Sequence, residues 1–374
     1  MTKKCAIVLN GGGARASYQA GALRALYEII KKDQNLFEII TGNSAGAINA
    51  VYLASNAEDW GASTQALLDL WTRIKPEDVY DLSHYTMTKL GTKWMKGTFF
   101  RNAMENDVLN GLLNTEPLRR TIEREVDFKK IREHFQLGNI NGLSLSTTNY
   151  FSGASVVFHD GDTSINEHSK SDRIMMRTEI TSDHVMASSA IPLFFPPIKI
   201  GKSFYGDGCI RQITPLSPAV DLGAQKIIAI GVRYQQTLDD QIEKTLRVNP
   251  MPQISQIAGI MMNAIFLDSL DADYARFSKI NTIVEMMGPK SPWRYIPALM
   301  LKPSRDLGAM TEKLSKELPV MLRYFLRTIG VSGQYGLDLL SYLAFDSSYT
   351  EQIAELGYED TMKEKHRILN FIDS

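Results

Sequence analysis

Ser44 stands in a segment whose residue types suit a catalytic nucleophile. The segment Gly-Asn-Ser-Ala-Gly at residues 42–46 follows a mainly apolar run and precedes an alanine-rich run without glycine or proline. This pattern predicts a strand, a sharp turn with serine at its tip, and a helix. Gly42 and Gly46 would avoid steric clashes with a strained serine. The N-terminal dipole of the helix would stabilise negative charge beside the serine oxygen, as acyl transfer requires.

An ordinary glycine turn is the alternative for this segment. Gly-x-Ser-x-Gly fixes only three residues and occurs by chance in many long chains. The flanking strand and helix favour the catalytic interpretation, because structural context is what confirms such a motif.

Three consecutive glycines, Gly11, Gly12 and Gly13, follow the predicted first strand and precede a helix. Glycines at such a turn expose backbone N–H groups and form an anion-binding cradle. Arg15 would either add a charge to the cradle or attach the loop to its surroundings. A tight turn explains one or two of these glycines, but not all three. Because neighbouring parallel strands present their loops at one sheet edge, we expect this loop and Ser44 to face one crevice.

A nucleotide-binding loop is a second interpretation of these glycines. The spacing Gly11-x-Gly13-x-x-Ala16 satisfies a loose form of the dinucleotide fingerprint. That site expects an aspartate or glutamate at the end of the second strand, whereas residues 41–44 contain no acidic residue. A phosphate-binding P-loop fits less well, because no Gly-Lys-Ser or Gly-Lys-Thr follows.

Asp207 lies between two glycines in the late motif Gly206-Asp207-Gly208. The motif follows two alternating segments at residues 198–205 around Gly-Lys, which is the form of a two-residue hairpin. Flanking glycines free the backbone to bring the carboxylate close to another element. An ordinary turn aspartate is one alternative, because Asp-Gly commonly marks turns. A Ser-Asp-His triad is an alternative catalytic arrangement, in which His366 would be the intermediary. The other interpretation of His366 is a solvated surface residue.

The composition is that of an ordinary globular chain. It has 374 residues, 44% apolar and 22% charged, with a formal net charge of −1. Neither disorder nor nucleic-acid binding is favoured, since the latter usually leaves a basic footprint. Cys5 and Cys209 have neither metal nor redox spacing, which predicts a cytoplasmic protein without a metal site or a disulfide framework. No stretch reaches the ~18 apolar residues of a spanning helix, so any membrane contact would be peripheral.

The elements around these motifs predict an α/β fold, with a mainly parallel sheet between helices and a helical C-terminal extension. The apolar run at residues 226–232 is typical of a strand buried on both faces. Thr115 is a predicted N-cap, with Pro117 in the first turn of its helix. Other predicted strands cover residues 6–9, 142–149 and 154–159. A predicted helix after the glycine loop ends near residue 32, and other predicted helices cover residues 59–74, 183–190, 251–280, 305–329 and 334–372.

Three apolar segments each have two interpretations. Residues 193–197, Leu-Phe-Phe-Pro-Pro, would line an acyl-binding slot or pack in the core. Residues 94–101 and 293–302, which open with Trp94 and Trp293, mix aromatic, aliphatic and basic residues as interfacial anchors do. Packing in the core or in a lid is the alternative for both, because exposed apolar patches are uncommon on soluble proteins.

The glycine loop, the serine motif and the late Asp-Gly occur in an order that resembles the patatin-like phospholipase family. The resemblance implies a three-layer fold, with a catalytic core at residues 1–235 and a helical portion at residues 236–374 packed on it. Two residues depart from the family pattern: Ala16 replaces a usual glycine, and Cys209 replaces a usual glycine or alanine. The similarity spans nearly the whole chain and includes residues 115–118, 188–192 with the following Phe-Phe-Pro-Pro, 341–345 and 355–358.

The resemblance also implies a function. The protein would be a calcium-independent serine lipid acyl hydrolase, of phospholipase A or lysophospholipase type, that cleaves carboxylic esters through an acyl-serine intermediate. Lipid substrates and a peripheral membrane surface would be its partners, and no cofactor would be needed. A catalytically weak or inactive lipid- or nucleotide-binding protein is the alternative.

The resemblance also assigns roles to residues. By motif position, the nucleophile is Ser44, the base of the Ser-Asp dyad is Asp207, the oxyanion loop is Gly11, Gly12, Gly13 and Arg15, the elbow glycines are Gly42 and Gly46, and Gly208 completes the Asp-Gly motif.

An aspartate base raises a chemical difficulty. A free aspartate has a pKa of about 3.9, so it is a weak base toward serine at neutral pH unless burial raises that pKa. We therefore expect the helix dipole at Ser44 and the glycine loop to supply much of the reduction in the barrier.

Overall fold

A computed structural model describes residues 4–31, 36–81, 111–161, 173–246, 251–252, 254–312, 314 and 336–373. Within these ranges nine strands form one mixed, mostly parallel sheet. The strands are β1 (Cys5–Leu9), β2 (Ile39–Asn43), β3 (Gly142–Asn149), β4 (Ser155–Gly161), β5 (Arg173–Arg177), β6 (Ile198–Ile200), β7 (Ser203–Asp207), β8 (Lys226–Ile230) and β9 (Ala298–Leu301). The order across the sheet is β5-β4-β3-β2-β1-β8-β9, while β7 pairs with β3 and β6 pairs with β7.

The centre of the sheet is parallel. β9, β8, β1, β2 and β3 run in one direction, so their carboxyl ends lie at one edge. β4 pairs antiparallel with β3, and β5 pairs parallel with β4. In β1, Ile7 and Leu9 belong to one core cluster and Ala6 and Val8 to another. Burial on both faces explains why this strand is continuously apolar.

Helices cover both faces of the sheet and complete three layers. The described helices are α1 (Ser17–Ile30), α2 (Ala45–Ser55), α3 (Trp60–Arg73), α4 (Glu116–Glu125), α5 (Phe128–Leu137), α6 (Ser182–Ser188), α7 (Ser217–Asp221), α8 (Leu238–Leu246), α9 (Ile254–Phe266), α10 (Asp268–Met287), α11 (Leu337–Leu343), α12 (Ser347–Lys363) and α13 (Lys365–Asp373). The larger core cluster includes residues of α1, α2, α3 and α12, and the smaller one includes residues of α7 and α10.

The C-terminal portion is mainly helical, as predicted, and it also returns to the core. β9 extends the sheet beside β8, and α12 packs along α1. Gly21 of α1 and Gly357 of α12 allow this close contact, because a Cβ atom would collide with the backbone oxygen of Ala354 or Tyr18. The proposed division at residue 235 falls in the loop between β8 and α8. Residues beyond it therefore complete the same sheet and core.

Some local predictions differ from the structure. Thr115 occupies the N-cap of α4, but its side chain makes no capping hydrogen bond with the described residues. Asn114 acts instead, since its Oδ1 accepts from the N–H of Glu116 at 3.1 Å. In the predicted helix at residues 305–329, a 3-10 turn covers Ala309–Thr311, and residues 315–329 lie outside the described ranges, as do residues 94–101.

Candidate active site

Ser44 lies at the predicted turn between a strand and a helix. β2 ends at Asn43 and α2 begins at Ala45, so the serine is the single connecting residue. Its φ of 53° and ψ of −132° are a conformation that residues with a side chain rarely adopt. Such strain is typical of a nucleophile elbow, in which the serine stands at the tip of a sharp turn between a strand and a helix.

Gly42 and Gly46 are needed because the elbow is packed against its neighbours. A Cβ at Gly42 would lie 2.6 Å from the Cα of Ala47, and a Cβ at Gly46 would collide with the carbonyl oxygen of Leu9. The sequence predicted that the clashes would involve the serine itself, whereas the structure places them at α2 and β1. The two glycines thus allow α2 to lie directly against the central strands.

Ser44 and Asp207 are in direct contact. The hydroxyl of Ser44 donates a hydrogen bond to Oδ2 of Asp207 over 2.6 Å, although the two residues are 163 positions apart. Their exposed fractions are only 1% and 0%. Asp207 ends β7, where its backbone oxygen accepts from the hydroxyl of Thr148 at 2.8 Å and its N–H donates to the oxygen of Ala190 at 3.2 Å. These bonds fix the carboxylate opposite the elbow.

The surroundings of Asp207 change its acidity. Burial raises the pKa of this carboxyl to about 7, because an ionised carboxylate loses its hydration inside the protein. The hydroxyl of Ser44 and the N–H of Cys209, 2.9 Å from Oδ1, oppose the shift by stabilising the anion. Asp207 can therefore accept a proton near neutral pH, which an ordinary aspartate does poorly.

The glycine loop reaches the nucleophile through Gly11. A Cβ at this position would lie 2.5 Å from the Cβ of Ser44 and 2.7 Å from the Sγ of Cys209. Real Cβ atoms do not approach other atoms so closely, so a larger residue would push the loop away from the serine. Gly11 therefore places backbone beside Ser44, as the predicted crevice requires.

The next two glycines turn the chain toward α1. Gly13 has a φ of 58°, and a Cβ there would collide with the backbone oxygen of Tyr342. A Cβ at Gly12 would lie 2.5 Å from the side chain of Val232. A 3-10 turn, Gly13–Ala16, then leads into α1. Because the first N–H groups of a helix have no intrahelical acceptor, this turn carries donors suited to an anion.

Arg15 attaches the glycine loop to α11. Its side chain is 3% exposed. Its Nε donates to the hydroxyl of Ser341 at 2.7 Å, and an Nη donates to Oδ1 of Asp338 at 3.0 Å. The guanidinium carbon lies 4.6 Å from the centre of the Tyr342 ring. These contacts favour attachment of the loop over a direct charge in the site.

Replacing Arg15 by lysine is expected to lower the free energy of unfolding by about 2–3 kcal/mol, because lysine lacks the planar fork and the stacking surface. Asp338 is 42% exposed, so the ion pair alone contributes only part of this free energy. Arg24→Lys is a matched control, since Arg24 also pairs with a carboxylate, Glu28, and lies over a ring, Tyr27, at a partly exposed position. Urea unfolding should show a loss under ~1 kcal/mol for the control. Equal losses in the two variants would contradict this role.

A buried network of amide side chains joins the loop to the elbow. Asn43 donates to Oδ1 of Asn10 at 3.2 Å, and Gln19 donates to the backbone oxygen of Asn10 at 2.6 Å. Asn49 donates to Gln19 at 2.9 Å and accepts from the indole N–H of Trp71 at 2.7 Å. No motif in the sequence predicted a role for these residues. Asn10 and Asn43 have a detectable signal, since each lies directly after or at the end of an apolar strand.

Ser188 is a further residue of the site for which the sequence predicted no role. It is fully buried, and its hydroxyl accepts from the N–H of Ser44 at 3.1 Å and donates to the oxygen of Ser146 at 2.7 Å. It belongs to the segment 188–192, which contributed to the family resemblance without a role. Ser188 thus ties the elbow to β3.

Cys209, one of the departures from the family pattern, is part of the site. Its N–H donates to Oδ1 of Asp207, and its thiol also hydrogen-bonds that carboxyl. Burial and then the charge of Asp207 raise the pKa of the Cys209 thiol, so the thiol stays protonated. Gly208, which lies between them, allows close approach to β3, because a Cβ there would collide with the backbone oxygen of Ser146. Cys209 therefore helps to hold the carboxylate.

His366 is not part of this arrangement. It is exposed on α13, whereas the hydroxyl of Ser44 donates directly to Asp207 without an intervening imidazole. The geometry therefore favours a dyad over the triad.

The described apolar segments divide between core and surface. Phe194 and Phe195 are 7% and 4% exposed and belong to the core, whereas Leu193 is 81% exposed. In the segment that opens with Trp293, that residue and Tyr295 are 57% and 48% exposed, and the following residues form β9 in the sheet. In each segment, the first residues are exposed to solvent and later residues pack in the core or in the sheet.

Within the described ranges, no group of three or more His, Cys, Asp or Glu side chains is placed to hold a metal ion. In the same part of the chain, no helix combines the length and apolarity needed to span a membrane. Cys5 and Cys209 are both buried and form no disulfide with each other.

The chain is similar to solved structures and matches a family model. VipD from Legionella pneumophila is similar in structure, with a TM-score of 0.36 and 12% identity over 98% of this chain and 67% of that one. Human GIVD cytosolic phospholipase A2 gives a TM-score of 0.45 and 12% identity over 100% of this chain and 59% of its own, so this chain spans little more than half of that protein. No curated protein sequence matches. The family model described as patatin-like phospholipase matches residues 7–220, more than half of the sequence, and the chain therefore belongs to the patatin-like phospholipase family.

Proposed function

We propose that this protein is a serine lipid acyl hydrolase, of phospholipase A or lysophospholipase type, that uses Ser44 and Asp207 as a dyad. Family membership supports lipid hydrolase activity in general. The observation that carries the finer proposal is the 2.6 Å hydrogen bond from the strained, buried Ser44 to a carboxylate. Nucleophile and base within hydrogen-bond reach are the signature of covalent catalysis.

The reaction begins at the hydroxyl of Ser44. Its Oγ attacks the ester carbonyl carbon while Asp207 accepts the proton, and the carbonyl π electrons move to the oxygen to give a tetrahedral intermediate. The intermediate collapses, the bond to the leaving alcohol breaks, and Asp207 returns the proton to that alcohol. Water then attacks the acyl-serine with Asp207 again as base, which releases the fatty acid and restores both residues.

Stabilisation of the negative oxygen is assigned to backbone groups. The loop at Gly11, Gly12 and Gly13 lies beside Ser44, and α2 directs its positive N-terminal end toward the same residue. Oxyanion donors typically contribute ~3–4 kcal/mol each. Arg15 and Ser188 act here as positioning residues, since each fixes one side of this arrangement.

Hydrolysis is expected to increase with pH through about 7. Asp207 must be ionised to take the proton of Ser44, so acidification below its raised pKa removes the active form. At one pH unit below that pKa, kcat/KM should be about tenfold below its plateau. A pH profile with a soluble monomeric ester measures this directly. A profile that is flat across neutrality would exclude Asp207 as the titrating base.

A lipid panel tests the proposed function. The purified protein is incubated with vesicles and micelles of different phospholipids and lysophospholipids, and the released products are identified by mass spectrometry. We expect free fatty acid and the matching lyso or glycerophospho product. Binding of lipid or nucleotide without any product would favour the non-catalytic alternative. We further propose a cytoplasmic location with peripheral membrane contact, because both cysteines are free thiols, as is usual in a reducing compartment, and the proposed lipid substrates would be met at a membrane surface.

A further inference from the structure

We propose that an exposed surface beside the candidate site docks on negatively charged lipid bilayers. This surface, here called the aromatic-basic surface, consists of Tyr150, Phe151, Lys199, Lys202 and Phe204. The proposal rests on the proposed function for the choice of lipid as the ligand. Exposure, geometry and charge indicate where on the protein the contact lies.

The aromatic residues form one exposed cluster. The rings of Phe151 and Phe204 are 6.3 Å apart, and the N–H of Tyr150 donates to the oxygen of Phe204 at 3.0 Å. Tyr150, Phe151 and Phe204 are 45%, 77% and 37% exposed. Contiguous exposed apolar groups mark interaction sites more often than isolated ones. Aromatic rings next to lysines are typical of groups that enter the headgroup region of a bilayer.

The turn that carries Tyr150 and Phe151 is preformed. Oδ1 of Asn149 accepts from the N–H groups of Phe151 and Ser152 at 2.9 and 3.1 Å. The backbone oxygen of Asn149 accepts from the N–H of Gly153 at 2.9 Å. A turn held in this way loses little conformational entropy when its rings dock.

The charge of the surface is complementary to an anionic membrane. Lys199 is paired with Phe204 across β6 and β7, and directly opposed residues in antiparallel strands share one face. Lys202 lies in the hairpin turn, and both lysines are exposed. Residues 142–155 and 198–206 contain no aspartate or glutamate, so the two cations have no neutralising residue in these segments. Lysines near a surface of anionic lipid strengthen binding.

The aromatic-basic surface is joined to the candidate site through β7. Phe204 precedes Asp207 by three positions on this strand. The hydroxyl of Tyr150 lies against Gly206, where a Cβ would collide with it. β3 ends at Asn149 at the carboxyl edge of the parallel strands, the edge that also carries Ser44. Docking through this surface would therefore turn the edge with the nucleophile toward the lipid.

A second exposed apolar stripe provides a matched control. Leu238, Ile242 and Leu246 on α8 are 71%, 47% and 78% exposed. The same helix carries three acidic residues and one lysine, so an anionic surface would repel it. The sign of the charge thus distinguishes the two surfaces.

Co-sedimentation with vesicles tests this inference. The assay uses the Ser44→Ala protein, so that lipid is bound without being hydrolysed, and vesicles of phosphatidylcholine with or without phosphatidylserine. We expect stronger binding to vesicles with phosphatidylserine. Lys199→Ala/Lys202→Ala should weaken that binding roughly 25-fold, and Phe151→Ser/Phe204→Ser should weaken it about tenfold or more. Leu238→Ser/Ile242→Ser should bind like the parent, and thermal unfolding verifies that each variant is folded.

Three results would overturn the inference. They are no binding to either vesicle, equal binding with and without phosphatidylserine, and binding that depends on α8 while folded variants of the aromatic-basic surface bind normally. The proposed function is measured separately, as hydrolysis of a soluble monomeric ester by the protein with Ser44 intact. A protein that hydrolyses this ester but fails the vesicle assay would retain the proposed function and lose only the docking surface.

Discussion

Replacing Asp207 by asparagine is expected to lower kcat/KM for ester hydrolysis by about 10⁴-fold. Asparagine has nearly the same shape, and its amide oxygen can still accept the hydrogen bond that Ser44 donates over 2.6 Å. It cannot take up the proton, so Oγ would lose its base while keeping its position. The loss should fall mainly on kcat, because Asp207 contacts the reacting hydroxyl and not the acyl chain.

The same substitution is expected to stabilise the fold above neutral pH. The pKa of Asp207 is about 7 in the folded protein and about 3.9 in an unfolded chain, so the unfolded chain releases the proton more readily. Stability linked to this group is therefore present below about pH 4 and is lost as the pH rises through about 7. At pH values above 7, Asp207→Asn should raise the free energy of unfolding by less than the ~4 kcal/mol that this pKa difference alone gives, because the asparagine NH₂ would face the N–H of Cys209 that Oδ1 now accepts.

Asp273→Asn is the matched control for this experiment. Asp273 is also buried, and it accepts the N–H of Leu216 at 3.0 Å outside the candidate site. Its substitution should leave kcat/KM nearly unchanged. Hydrolysis near the parent rate by Asp207→Asn would remove Asp207 from the role of base, whatever the change in stability.

Replacing Ser44 by alanine is expected to reduce hydrolysis to the background rate, a loss of about 10⁵-fold or more. No other group in the proposed reaction can form the acyl intermediate, so the loss should exceed that of Asp207→Asn. The backbone of the elbow should persist, because the N–H of Ser44 bonds to Ser188 and its oxygen accepts from Ala47 through atoms that alanine retains. Fatty acid release and urea unfolding measure the two parts of this prediction.

Ser63→Ala controls for the removal of a buried hydroxyl. Ser63 is 4% exposed on α3, outside the candidate site. It should retain the parent activity, whereas Ser44→Ala should not. Residual turnover by Ser44→Ala well above background would mean that another group is the nucleophile.

The parts of the site that the sequence predicted are those with a local signal. The strand, turn and helix around Ser44, the glycine loop after β1 and the hairpin before Asp207 are each encoded in a continuous segment. Their residue types follow from steric needs of a few neighbouring positions. The family resemblance then supplied what no local pattern could, the pairing of two residues 163 positions apart.

The parts that the sequence did not predict depend on distant partners. Arg15 meets Ser341 across 326 positions, and Ser188 meets Ser44 across 144. No periodicity or motif connects such residues before the chain is folded. The pKa of Asp207 belongs to the same class, because it depends on complete burial by several elements. β9 was missed since its apolar residues follow aromatic and basic ones that resemble a surface anchor.

Covalent labelling tests the central claim most directly. The protein is treated with a long-chain alkyl fluorophosphonate, which transfers its phosphonyl group to an activated serine hydroxyl, and is then digested and analysed by mass spectrometry. We predict one adduct, on the peptide that contains Ser44, with hydrolysis lost in proportion to labelling and little adduct in the Asp207→Asn protein. Complete labelling of another residue, or full hydrolysis by a protein whose Ser44 is fully modified, would contradict the account.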